Sequence, residues 1–204
     1  MRKYGIDVSK WQGDIDWIGV KASGICKFAI LKAGGSDKGF YVDPFFLKNY
    51  DMCKNLGIPV GAYYFAGPKF GSAAGNGIAD AKRFEEIIKG LKFEYPIYLD
   101  IEAQPIADKE GTTREAIEFC EYLEEKGYYV GIYGSRISGF TDRLIKDQLI
   151  DYTWWVADYS NPLPVAMHQY SSKGNIPGIQ GNVDLDVCTV DFPSIIKSHH
   201  LNGY

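Results

Sequence analysis

Residues 96–102 read Pro-Ile-Tyr-Leu-Asp-Ile-Glu, an apolar run that ends on two acids, Asp100 and Glu102. Successive side chains of a strand point to opposite faces, so residues two apart share one face. Two carboxyls on one face at the exit of an apolar strand are costly, because each raises the other's pKa and neither adds packing. A proton-carrying acid beside an ionised partner is, however, what cleavage of a glycosidic bond needs. The run therefore predicts a buried strand with a site at its C-terminal end.

Similar apolar runs recur on both sides of it. Strands are predicted near 5–8, 28–32, 60–65, 97–101, 130–133, 154–157, 166–170 and 183–187. Asp43-Pro44 offers an N-cap and an N1 proline for a helix through Phe46, Leu47, Tyr50 and Cys53 toward Gly57. A second helix, over 73–89, carries Ile78, Ala81, Phe84, Ile87 and Ile88 on one stripe. A third begins at Thr112 or Thr113 and shows Ala116, Phe119, Tyr122 and Leu123 before Gly127, and a shorter one is predicted over 145–149. Strands that alternate with helices pair in parallel through right-handed crossovers. Eight strands suggest a closed barrel, yet a full eightfold strand-helix barrel takes ~250 residues. The 204-residue chain falls short late, where Pro/Gly-rich loops around 161–164 and 173–181 join the last strands. The predicted fold is α/β, a TIM-like barrel of about five β/α units followed by three strands with little helix between them. Residues 1–197 form one barrel domain in this reading, and 198–204 a C-terminal tail or the start of a linker.

A net charge of −4 and the lack of any basic stripe argue against a nucleic-acid partner, and no segment suits a membrane. The four cysteines are scattered without metal-ligand spacing, so they are expected as buried apolar residues, with no metal and no cofactor. His168, His199 and His200 are read as packing and tail residues. The 15 Tyr and 4 Trp suit either a large core or a sugar cleft, where a ring stacks and its polar edge hydrogen-bonds.

In such barrels the site lies at the C-terminal ends of the strands. Those ends carry Asp7, Lys32, Tyr63 and Tyr64, Asp100 and Glu102, Tyr133, Asp158, Gln169 and Tyr170, and Asp184 and Asp186. Each has an ordinary structural explanation by itself. One acidic cleft explains them together.

The opening Tyr-Gly-Ile-Asp-Val-Ser-Lys-Trp-Gln-Gly (4–13) resembles the opening of lysozymes of glycoside hydrolase family 25. The likeness continues through 28–33, 59–66, the Tyr-Leu-Asp-Ile-Glu of 98–102, 131–135, 154–159, 168–171 and the Gly-Asn-Val-Asp-Leu-Asp of 181–186. It implies a flattened barrel and hydrolysis of the β-1,4 bond between N-acetylmuramic acid and N-acetylglucosamine in peptidoglycan, as in a phage endolysin or bacterial autolysin. By motif position Glu102 resembles the general acid, and Asp100, Asp7 and Asp184 the acids that complete the cleft. Substrate assistance by the 2-acetamido group, with retention of configuration and Asp100 as orienting residue, follows from the same likeness. Tyr63, Tyr64, Tyr133 and Trp155 are expected to bind sugar together with Gln169, Lys32 and Asp186, whereas Trp11 is expected to pack the barrel wall or base. The sequence departs from the family pattern twice. Tyr63-Tyr64-Phe65 stands where many relatives have Tyr-His-Phe, and Ala33-Gly34-Gly35-Ser36 replaces a Thr-Glu-Gly segment.

Two other readings compete. A chitinase-like hydrolase also ends a barrel strand on Asp-x-Glu, but has further aspartates where this chain has Tyr98 and Tyr95. A catalytically inactive saccharide-binding barrel would have lost an acid, and here all four are present. The N-terminus lacks the apolar run of a signal peptide, so cytoplasmic synthesis is expected, with holin-type release or another route to the wall. A separate wall-binding module, common in such enzymes, is not legible in this chain.

Overall fold

In a computed structural model describing residues 2–204, the first strand β1 (Lys3–Val8) pairs with β2 (Ala29–Gly35) on one side and with the last strand on the other. That double pairing closes a barrel. The remaining strands are β3 (Tyr41–Val42), β4 (Val60–Phe65), β5 (Ile97–Asp100), β6 (Val130–Ser135), β7 (Thr153–Ala157), β8 (Met167–Gly174) and β9 (Val183–Cys188). Going round, the order is β1-β9-β8-β7-β6-β5-β4-β2, and β3 hangs on β2 as a short antiparallel edge. The eight predicted strands are all present. β9 runs antiparallel to both neighbours, because the short connection from β8 makes a hairpin and leaves no room for a crossover.

Helices α1 (Trp17–Ser23), α2 (Phe46–Asn55), α3 (Asn76–Ile88) and α4 (Lys109–Glu125) fill the first four long connections. Sequence periodicity missed α1, which is only seven residues long. Its ends are nonetheless marked: Asp16 Oδ1 accepts from the Ile18 and Gly19 amides at 3.1 Å, and Gly24 ends it in the left-handed region. The predicted helix over 145–149 is instead a π turn (Arg136–Thr141) followed by one 3₁₀ turn (Lys146–Gln148), so the fifth unit is degenerate. No helix of the described residues is long and apolar enough to cross a membrane.

The strand period sorts the core into two layers. Outward residues of the sheet meet the helices; Tyr64 packs against Phe84 of α3 and Phe119 of α4, with ring centroids 5.6 and 6.0 Å apart. Inward residues fill the barrel with aromatic rings. Phe28 and Tyr95 stack at 4.4 Å near the bottom, and Trp155 higher up meets Tyr98 at 5.2 Å and Tyr133 at 4.3 Å. Gly5 is required there, since a β-carbon would lie 2.6 Å from the Phe28 ring. All four cysteines are free and buried.

A last helix, α5 (Phe192–Ser198), presses Phe192 against Tyr95 and Tyr129 beneath the barrel. The residues after it, expected to be a tail or linker start, fold back on the same end. Asn202 is fully buried, its Oδ1 accepting from the Tyr129 amide (2.7 Å) and its Nδ2 donating to the Tyr95 carbonyl (2.9 Å). Asn202 also holds φ 52°, a conformation Asn tolerates better than most residues. Asn202→Ala leaves two buried backbone groups unpaired and is expected to lower stability by about 2–4 kcal/mol, read by urea denaturation.

Candidate active site

The barrel's aromatic filling stops short of the C-terminal strand ends, and above it opens a cleft of about 350 Å³. Its floor is Tyr63, Tyr133 and Trp155; the acids Asp7, Asp100, Glu102 and Asp184 line it with Lys32 and Gln169. Alternation explains each placement. On β5, Tyr98 and Asp100 point inward while Ile97 and Leu99 join the outer layer, and Glu102 follows Asp100 at the rim. On β1 and β9, Asp7 and Asp184 are register partners, so strands far apart in sequence bring two carboxyls side by side.

Asp7 is held from two directions. Gln169 Nε2 donates to Asp7 Oδ2 at 2.8 Å, while Gln169 Oε1 accepts from the Tyr133 hydroxyl (3.0 Å) and the Tyr159 hydroxyl (2.8 Å). Those two donors fix the orientation of the amide and hence its N–H toward Asp7. Below Asp7 lies Asp186, fully buried, with Oδ1 accepting from Trp155 Nε1 at 2.8 Å. Asp186 thus braces the floor from beneath instead of lining the cleft.

Burial raises the Asp7 carboxyl well above its usual range, and the charges of Asp186 and Asp184 push it further. Asp186 itself is raised to about 8, by burial first, with the Trp155 N–H opposing. A carboxyl with a folded pKa above its unfolded value holds its proton more tightly in the native state. Its contribution to stability is complete below the unfolded value near 3.8 and is lost as pH rises through about 8. The protein is therefore expected to melt at lower temperature at pH 8 than at pH 5. Asp186→Asn, which keeps an acceptor for Trp155, should flatten that dependence by at least ~1 kcal/mol, the worth of roughly one pKa unit.

Asp100 and Glu102 differ in setting. Asp100 is buried, with Oδ1 lacking a hydrogen-bond partner among the described residues. Burial and then the Glu102 charge raise its pKa, and Lys32 opposes them. Glu102 stands exposed at the mouth. Its pKa is raised by partial desolvation and by Asp184, against the lowering pull of Lys32 and Arg143. Lys32, its ammonium 4.3 Å from the Phe65 ring centre, has its own pKa lowered by burial while Asp100 and other acids resist the shift.

Three expectations fail. Asp186, expected to bind sugar, lies beneath the floor. Tyr64 is fully buried on the helix side of β4, because consecutive residues cannot both face the barrel interior; Tyr63 alone reaches the cleft. Trp11 does not pack the wall or base. It is 80% exposed on the loop after β1 and lines the cleft mouth. Tyr159 was also missed, two residues beyond β7, and Arg143 reaches Glu102's surroundings from the turn after β6, braced on the Gln104 carbonyl at 2.6 Å. Asp158 turns away from the cleft into an ion pair with Arg136.

Comparison with known proteins agrees with this geometry. The sequence profile of Glycosyl hydrolases family 25 matches residues 6–179. The autolytic lysozyme of Clostridium acetobutylicum is 29% identical over 187 residues, spanning 89% of this chain and 54% of that one. Among solved structures, the CTP1L endolysin superposes with a TM-score of 0.79 at 25% identity, covering 96% of this chain and 70% of its own. The bacterial lysozyme from Streptomyces coelicolor gives 0.75 at 27% identity, covering 95% of each chain. With a profile match over most of its length and the strand-exit acids of one cleft in place, the chain belongs to glycosyl hydrolase family 25.

Proposed function

We propose that this protein is a lysozyme of the muramidase type, hydrolysing the β-1,4 bond from N-acetylmuramic acid to N-acetylglucosamine in peptidoglycan. The observation that carries the reading is the pair at the end of β5: an exposed Glu102, its pKa raised by partial desolvation, beside a buried Asp100 with a free acceptor. In the reactive form Glu102 carries a proton, which it delivers to the leaving oxygen, while Lys32 supports the negative charge on Asp100.

Asp100 Oδ1 then accepts the N–H of the 2-acetamido group and holds that group's carbonyl oxygen against the anomeric carbon. Attack by this oxygen breaks the glycosidic C–O bond, the leaving oxygen taking the Glu102 proton, and forms a cyclic intermediate. Water, giving a proton back to Glu102, opens it from the face the leaving group vacated, so configuration is retained. Asp7, fixed by Gln169, and Asp184 line the cleft side by side and offer carboxyl oxygens to the hydroxyls of the bound sugar. Tyr63, Tyr133 and Trp155 offer apolar faces to the sugar rings.

Mass spectrometry of digested cell wall tests the bond cleaved. Fragments with reducing-end muramic acid are expected, and reducing-end glucosamine overturns the reading. Proton NMR of the first product formed should show the β anomer.

A further inference from the structure

The late strands carry no helix over their outer faces, and there a second hollow of about 370 Å³ runs beneath the loop after β7. Its bed is Tyr4, Tyr170 and Val187 on β1, β8 and β9, and its roof includes Leu163. The loop is anchored by His168, whose ring nitrogen bonds the Asp158 carbonyl at 2.7 Å. Arg2 stands at the edge as an exposed cation.

We infer that this groove receives the peptide stem carried by the glycan strand in the cleft, an inference that rests on the muramidase reading above. Continuity is the first reason. Tyr159, 56% exposed, lines both hollows, and its hydroxyl bonds the Gln169 that holds Asp7, so one side chain separates and connects them. A muramic acid in the cleft bears its stem on a lactyl branch, which has to leave the cleft along some wall; the Tyr159 wall leads into a preformed groove. Chemistry is the second. A stem alternates small methyl-bearing residues with free carboxylates, and the groove joins an apolar bed to a cation.

Soluble glycan strands with stems, and the same strands after stem removal by an amidase, provide the test, with kcat/KM measured on each. The wild-type protein is expected to favour stem-bearing strands by about tenfold, and Leu163→Glu or Arg2→Glu, both changes away from the acids, to reduce that preference to about threefold or less. Circular dichroism verifies that each variant is folded. Equal cleavage of both substrates by the wild type, or a preference that survives both substitutions, overturns the inference and leaves the muramidase reading standing. A preference that follows glycan length instead of stem content assigns the groove to further sugars and also overturns it. Cleavage of neither substrate overturns both readings.

Discussion

Glu102→Gln is expected to lower wall lysis by about 10²–10⁴-fold, since general acid catalysis contributes on that order. The amide keeps the size of the side chain but cannot give a proton to the leaving oxygen. Folding should be intact, because Glu102 is exposed. The pH profile offers a second readout. Desolvation and Asp184 raise the Glu102 pKa, so the wild-type rate falls on the alkaline side as that proton is lost, and the residual activity of the variant should lack this limb. Turbidity clearing with purified walls measures both. Near-normal lysis by the folded variant would remove Glu102 from the role.

Asp100→Asn is the second large effect, expected at about 10²-fold or more in kcat with a smaller change in KM, as for loss of an interaction that strengthens in the transition state. An Asn here presents an amide where the acetamido N–H needs an anion, and it no longer balances Lys32. Stability should move in the opposite direction. Asp100 is buried with an unpaired oxygen and a raised pKa, so a neutral isostere removes a desolvation cost that grows as pH rises. A variant slower in turnover but higher in melting temperature at pH 8 is the expected signature. Unchanged kcat would refute the orienting role, and unchanged turnover with altered anomeric outcome would refute substrate assistance.

Much of the site was legible because barrel strands deliver their last residues to one place. Asp7, Lys32, Tyr63, Asp100, Glu102, Tyr133, Gln169 and Asp184 are legible from strand exits and Trp155 from the family resemblance, and all line one cleft. Tyr64 shows where that reading was incomplete. The period that separates Trp154 from Trp155 also separates Tyr63 from Tyr64, so the signal for its outward face was present in the sequence. Trp11 had a signal too, since a residue just beyond β1 lies at the same end as Asp7. Arg143 had none, as its reach depends on how the π turn after β6 projects.

The sequence by itself determined the alternation of strands and helices, the barrel they imply and the acids at its mouth. These are local properties: hydrophobic period, capping residues and side chains at fixed offsets from a strand end. Only the tertiary structure decided how the acids are held. Gln169 meets Asp7 across 162 positions of chain, Asp186 takes its place under Asp7 by the antiparallel register of β9, and Asn202 ties the last residues to the barrel base. The first two contacts depend on closure of β1 between β2 and β9, which brings the two ends of the chain into register and which no local pattern encodes.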